Sequence, residues 1–129
     1  MMRWINMQEV LAMHQVQIEA FGGSHGSVDA HKLESAITAP LATFEKTDLL
    51  PTLCDKAGAL AFYLASSHPF SDGNKRVAFA AMALVLRMNG YTLAHSVDDA
   101  VKLMLDVADS KVSRDELIEW VKQHAFPTK

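Results

Sequence analysis

The stretch His68–Arg76 (HPFSDGNKR) places a histidine, an aspartate, a glycine, an asparagine and two cations directly before an apolar run. Free backbone N–H groups at a helix N-terminus bind anions, because they lie at the positive end of the helix dipole, and a glycine lets the ligand approach the backbone closely. If a helix begins here, the stretch predicts a phosphate-binding loop formed by Gly73, Asn74, Lys75 and Arg76.

The other side chains of this motif indicate which phosphate chemistry it could support. Arg76 can donate two hydrogen bonds to a phosphate. A phosphate would repel the Asp72 carboxylate unless Mg²⁺ lay between them, so the motif predicts a magnesium–nucleotide ligand. Imidazole exchanges a proton near neutral pH, and His68 can therefore accept one from an attacking hydroxyl. Phe70 is predicted to anchor the loop in the core.

Each of these residues also has a purely structural interpretation. His68 could end a helix, Asp72 could form a turn, Asn74 could cap a helix, and Lys75 with Arg76 could form a solvated surface. Their combination in one short stretch favours the functional interpretation.

Composition limits the class of protein. The chain has 129 residues, half of them hydrophobic, and a formal net charge of −3. This predicts one domain, 1–129, with a single core and no direct binding of nucleic acid. Cys54 is the only cysteine, which excludes disulfides and favours a reducing, cytoplasmic location. No apolar run in the sequence approaches the length of a membrane span.

Helical periodicity, caps and stops predict an all-α fold of about six helices. The predicted caps and stop are Asn6 with Glu9, Asp29, Ser96, Ser113 and Asn89–Gly90. The extended segments are predicted to be only residues 3–5 and 41–50, and the second contains a Thr-Phe-Glu-Lys-Thr alternation that favours a small hairpin, which could overhang the motif. Four predicted helices have definite bounds: 7–21, Asn74–Met88, 97–109 and 114–125. A fifth, short helix is capped by Asp29 and ends before Pro40, and a sixth has Pro51 in its first turn and ends at His68.

Two further patterns receive structural interpretations. The GGSHG segment (22–26) lacks the G-K-[ST] ending of a P-loop, so we expect a connecting turn that forms a rim of the site. The histidines show no H-E-x-x-H spacing, which argues against zinc. The remaining histidines assigned to the surface or the core are His14, His31, His95 and His124.

HPFSDGNKR, followed by an apolar helix ending in LRMNG, resembles the signature of the Fic/Doc family, in particular its death-on-curing branch. LAMHQVQIEAFGGSHGSVDAHKLESAI is similar to the first helix, glycine turn and second helix of that branch. The resemblance implies an all-α Fic fold and the use of ATP and Mg²⁺. It also implies His68 as catalytic base, Asp72 as Mg²⁺ ligand, Arg76 as a catalytic cation, and 73–76 as the anion-binding loop.

Two positions depart from the pattern of adenylyl-transferring Fic enzymes, which read G-N-G-R-x-x-R. Here Lys75 replaces the second glycine and Phe79 replaces the last arginine. A lysine fills space along the loop where the α- and β-phosphates would lie, and Phe79 removes a cation that would bind the γ-phosphate. Lysine is the death-on-curing pattern, which implies transfer of the γ-phosphate of ATP to a Ser or Thr of a target protein such as elongation factor Tu. The alternatives are adenylyl transfer and a non-catalytic binding module.

Self-inhibited Fic proteins carry a helix of the pattern [ST]-x-x-x-E-[GN], and no glutamate in this sequence is followed by glycine or asparagine. The resemblance therefore implies a toxin that is restrained by an antitoxin acting in trans. We expect the antitoxin to be a disordered segment that folds as an amphipathic helix into a groove beside the motif.

If Lys75 selects the phosphate that faces the acceptor, Lys75→Gly should relieve crowding along the loop and allow some α-phosphate transfer. Mass spectrometry of the modified protein distinguishes a phosphoryl group from an adenylyl group. A Lys75→Gly product that carries only phosphoryl groups would show that Lys75 is not the selector, and would make Phe79 the next candidate.

Overall fold

The computed structural model describes residues 2–128, and this part of the chain contains six α-helices, as predicted. The α-helices are α1 (Met7–Phe21), α2 (Ala30–Thr38), α3 (Leu53–Ser67), α4 (Asn74–Met88), α5 (Val97–Ala108) and α6 (Arg114–His124). A 3₁₀ turn, Ala39–Leu41, follows α2, and the short strands are β1 (Thr43–Phe44), β2 (Thr47–Asp48), β3 (Tyr91–Leu93) and β4 (Ala125–Pro127).

Side-chain caps determine where most of the helices begin. At α1, α2, α5 and α6 the predicted capping residue accepts a hydrogen bond from the backbone N–H three residues further on. The predicted start of α3 was wrong, because Pro51 precedes the cap instead of lying in the first turn. Thr52 caps α3 and forms a capping box with Asp55, which gives the first turn a side-chain acceptor that proline cannot supply.

The hairpin predicted within 41–50 is confirmed, but the list of extended segments was incomplete. Strands β1 and β2 pair antiparallel, and Glu45 and Lys46 form the turn between them with positive φ angles of 49° and 67°. A second antiparallel pair, β3 with β4, joins the residues after α4 to the end of the chain. Strands of three residues are too short to show a periodic pattern. Residues 3–5 form no strand.

The core is built around α3 and α4. Helix α3 is buried on all sides from Asp55 to Ala61, and α4 buries residues along most of its length, as predicted for a central helix. The six largest fully buried side chains of residues 2–128 come from α2, α3, α4 and α6, and they are Leu33, Leu60, Leu64, Met82, Leu86 and Leu117. Within residues 2–128, no helix combines the length and the apolar character needed to cross a membrane.

Two ion pairs connect α3 to its neighbours. Lys56, which is 4% exposed, pairs with Asp48 of the hairpin at 3.0 Å and also donates to the Leu50 carbonyl. Lys122 of α6 lies 3.1 Å from Asp55. Burial by itself raises the pKa of the Asp55 carboxyl, but hydrogen bonds from Thr52 and Lys122 outweigh burial and lower the pKa below its ordinary value.

Cys54, next to this ion pair, is half-buried. Burial and the adjacent Asp55 raise the pKa of its thiol. A raised pKa keeps the sulfur protonated at neutral pH, where it is a poor nucleophile.

Helices α3 and α6 approach closely at Gly58. A Cβ atom at this position would lie 2.8 Å from Cγ1 and 2.9 Å from Cα of Ile118. The contact with Cα involves backbone, which cannot rotate away. The absence of a side chain at Gly58 therefore sets the distance between the two helices.

Gly58→Ala should destabilise the protein, although alanine is the better helix former by about 1 kcal/mol. The added methyl group must push α6 away, and overpacking of this kind costs about 1–3 kcal/mol. Chemical denaturation should show a lower free energy of unfolding for Gly58→Ala and no loss for Ser35→Ala, a substitution on the exposed face of α2. An unchanged or increased stability of Gly58→Ala would contradict the close contact.

Candidate active site

The motif connects the end of α3 to the start of α4. His68 is the C-cap of α3, with left-handed φ and ψ angles of 52° and 61°, and it is exposed. Glycine usually occupies this conformation, and other residues adopt it where the surroundings impose it. The buried Pro69 follows, and its carbonyl accepts a hydrogen bond from the Asp29 N–H at 2.8 Å. The candidate base is therefore held at a fixed turn.

Asn74 closes the loop between the two helices with a pair of hydrogen bonds. Its Oδ1 accepts from the Phe70 N–H at 3.0 Å, and its Nδ2 donates to the Phe70 carbonyl at 2.9 Å. Phe70 is 3% exposed and Asn74 is 8% exposed, so both bonds are shielded from water. Both ends of the Asn74 amide thus hold the loop closed, and the Asn74 backbone N–H lies in the first turn of α4, where it can bind an anion.

His14 of α1 supports the loop from below. It is 4% exposed, its ring stacks on Phe70 with 3.9 Å between centroids, and its Nε2 lies 2.8 Å from the Asp72 carbonyl oxygen. A carbonyl only accepts, so Nε2 is the donor. The sequence assigned His14 only to the surface or the core, and its contact with the motif was not predicted. Its spacing of four residues from Val10 and from Ile18, both buried, was the available signal.

Gly73 is the N-cap of α4, with φ of 80°. A Cβ atom there would lie 3.2 Å from Ile18 and 3.6 Å from His14, so both the conformation and the packing favour glycine. In contrast to the other five α-helices of residues 2–128, α4 has no side-chain cap. Its first backbone N–H groups thus remain available for an anion.

The GGSHG segment and the residues after it lie along one edge of the motif, as predicted for a rim. The Ser27 N–H donates to Ser71 Oγ at 3.1 Å, and that hydroxyl donates to the Ser27 carbonyl at 3.1 Å. Val28 forms an isolated antiparallel bridge with Phe70. These contacts fix the position of the motif relative to α1 and α2.

Asp72 lies where this rim meets α4. Its Oδ1 accepts from the Gly73 N–H at 2.8 Å, and its Oδ2 accepts a longer bond of 3.3 Å from the Ser24 N–H. No group of three or more possible metal ligands exists among residues 2–128. Mg²⁺ is commonly held by one or two carboxylates together with phosphate oxygens and water. A single exposed carboxylate beside an anion site fits that requirement.

The two cations of the motif are exposed at the start of α4. The Arg76 guanidinium carbon lies 5.0 Å from the centroid of the Phe21 ring, at the end of α1. No ion pair within residues 2–128 involves Lys75 or Arg76, so both charges can act on a ligand. In this geometry an anion would meet backbone N–H groups and two positive side chains.

Phe79, at the position of the last arginine in the adenylyl-transferring pattern, packs in an aromatic cluster. Its ring centroid lies 5.0 Å from that of His95 and 6.1 Å from that of Trp120. The side chain is half-buried. This position therefore contributes to packing and offers no positive charge to a nucleotide.

A helical fold with an H-x-F-x-D-G-N-K-R loop at the N-terminus of a central helix defines a Fic-type protein. The sequence pattern of the Fic/DOC family matches residues 4–86, and the chain belongs to the Fic/Doc family. That match covers α1 to α3, the whole motif and α4 as far as Leu86.

Two characterised relatives align over almost the whole chain. The chain is 38% identical over 119 residues to "Toxin Doc" of Mycolicibacterium smegmatis, which covers 91% of this chain and 89% of that protein. It is 30% identical over 125 residues to "Protein kinase doc" of Escherichia phage P1, with 95% of each protein covered. The chain is thus a toxin-like Fic domain protein.

His14→Phe should keep the ring stacked on Phe70 but leave the Asp72 carbonyl without its buried donor. We expect a loss of about 1 kcal/mol in the free energy of unfolding, and faster hydrogen exchange of the amides at the start of α4. Gln15→Ala is the matched control, since Gln15 is exposed and bonds only to Glu19. Equal stability and exchange in the two variants would contradict the supporting role of His14.

Proposed function

We propose that the protein is a toxin-type phosphotransferase that moves the γ-phosphate of ATP to a Ser or Thr hydroxyl of a target protein in the cytoplasm. The target that the resemblance implies is a translation factor such as elongation factor Tu. The observation that supports γ-transfer most directly is the pair of departures from the adenylyl pattern: exposed Lys75 on the anion loop and Phe79 packed among aromatic rings. The name of the phage relative, a protein kinase, agrees with this proposal.

In this proposal each group of the motif has one role in the reaction. His68 accepts the proton of the acceptor hydroxyl as its oxygen attacks the γ-phosphorus. The new O–P bond forms while the bond from that phosphorus to the bridging oxygen breaks, and ADP leaves with the electron pair. Arg76, Lys75 and the free N–H groups of α4 stabilise the negative charge on the phosphoryl oxygens.

Asp72 is the residue that would hold Mg²⁺. When bound, the ion neutralises charge on the phosphates of the nucleotide. The chain itself contributes the position of this carboxylate, which the Gly73 and Ser24 N–H groups fix at the rim of the loop.

Adenylyl transfer is the second candidate function, and Gly73 is the residue that favours it, because glycine occurs here in the adenylyl-transferring pattern. The structure explains the glycine at position 73 without reference to the nucleotide. Its positive φ and the Ile18 side chain, 3.2 Å from a Cβ built at this position, favour glycine whichever phosphate is transferred. We therefore give Gly73 less weight than Lys75.

The proposal includes an antitoxin as partner. Because no glutamate of the chain precedes glycine or asparagine, the inhibitory pattern of self-restrained Fic proteins is missing from the sequence. An unrestrained protein-modifying enzyme would harm the cell that makes it. A separate inhibitor that binds beside the motif would meet this need.

His68→Ala should lower phosphoryl transfer by at least about 100-fold, the usual contribution of a general base, while the affinity for ATP stays within a factor of two. Radiolabel transfer and calorimetry measure the two quantities, and His31→Ala, at an exposed histidine of α2, is the control that should change neither. Undiminished transfer by His68→Ala would remove the proposed base.

Expression in bacteria without an antitoxin tests the toxin part of the proposal. The unaltered chain should arrest growth, and His68→Ala at the same protein level should not. If the unaltered chain is harmless yet transfers phosphate in vitro, the toxin role fails and a regulated housekeeping modifier replaces it.

A further inference from the structure

A cleft of about 270 Å³ opens beside His68, on the side of α5 and α6. Its lining includes Phe62, Ser66, His68, Val107, Ala108 and Val112. His68 is the one motif residue among them, and neither the anion loop 73–76 nor the rim 22–29 contributes. The cleft and the anion site thus meet only at the candidate base.

The chemistry of the cleft differs from that of the anion loop. Apart from His68, its lining has no ionisable side chain, and Phe62, Val107 and Val112 give it apolar walls. The Ser66 hydroxyl already donates to the Phe62 carbonyl at 2.6 Å. A cleft that offers apolar walls and hydroxyls, but no Lys or Arg to balance phosphate charge, suits a segment of polypeptide better than a triphosphate.

An exposed apolar stripe on α5 leads into this cleft. Val97, Val101 and Leu105 follow each other at intervals of four residues and are 77%, 53% and 46% exposed. Ala108, also exposed, continues the stripe by one more turn and lines the cleft. A continuous apolar strip on a protein surface marks a site of interaction with another macromolecule.

We infer that the cleft and the α5 stripe together form the docking surface for the acceptor protein, with an apolar segment next to the acceptor Ser or Thr seated in the cleft. This inference rests on the proposed phosphotransferase function. The attacking and leaving oxygens lie roughly in line through the phosphorus atom, so the acceptor must approach from the side opposite the leaving ADP. Its hydroxyl must also come within hydrogen-bonding distance of His68, and the cleft adjoins that residue.

The charges of α5 indicate the composition of the docked segment. Asp98, Asp99, Asp106 and the C-cap Asp109 outnumber Lys102, which already pairs with Asp106 at 2.9 Å. An acidic border beside an apolar stripe is complementary to an apolar segment that carries Lys or Arg. This complementarity favours a segment of that composition over another copy of the same acidic helix.

Leu105→Glu and Ala108→Trp test the inference, because the first places a charge on the stripe and the second fills the mouth of the cleft. Val16→Glu is the matched control, since Val16 is 59% exposed on α1. With purified elongation factor Tu as acceptor and γ-labelled ATP, both test variants should raise the KM for the acceptor about tenfold or more. Their affinity for ATP and their unfolding temperature should match those of Val16→Glu.

Other results of this experiment overturn the inference. An unchanged KM for the acceptor in both test variants would show that the acceptor docks elsewhere. A loss of ATP affinity in Ala108→Trp would assign the cleft to the nucleotide. Conversion of a dimer to a monomer by Leu105→Glu, measured by light scattering, would assign the stripe to a second copy of the chain.

Growth arrest provides a second readout that does not depend on the choice of acceptor. If the unaltered chain arrests growth but does not label elongation factor Tu, that target is wrong. The docking surface is then supported only if Leu105→Glu relieves the arrest and Val16→Glu does not. Equal arrest by both variants overturns it. If the unaltered chain neither labels the factor nor arrests growth, the proposed function fails, and the docking surface fails with it.

Discussion

The two hydrogen bonds between the Asn74 side chain and the Phe70 backbone hold the start of α4 against the end of α3. In the loop that they close, Gly73 adopts a left-handed conformation, and the first N–H groups of α4 have no side-chain cap. Since Asn74 is buried, replacing it would leave two polar backbone groups without partners. The anion site therefore depends on an asparagine whose side chain holds the loop closed.

The N-terminal part of the chain supports this loop without providing the candidate base. Helix α1 contributes His14 beneath Asp72 and Phe70, and Phe21 beneath the Arg76 guanidinium. The rim after α1 fixes the outer edge through Ser27 and Ser71. The match to the family, over residues 4–86, includes these supporting elements as well as the motif.

Local signals in the sequence were sufficient to place the helices and to locate the candidate site. The Asn6–Glu9 capping box and the Asn89–Gly90 stop depend on neighbouring residues, so they can be recognised without the fold. The pairing of β3 with β4, the buried Lys56 and the hydrogen bond from His14 all join residues that are distant in sequence or depend on the packing around them. Residue types and spacing alone do not specify such contacts. They also do not specify how a nucleotide and an acceptor would bind, so the catalytic roles of His68, Asp72 and Arg76 are proposals.

The most direct test asks which phosphate of ATP reaches the acceptor. ATP labelled separately at the α- and γ-positions is incubated with the protein, Mg²⁺ and purified elongation factor Tu. If Lys75 and Phe79 specify γ-transfer, the acceptor protein should carry label from the γ-position alone. Label from the α-position would contradict it and would identify the protein as an adenylyl transferase.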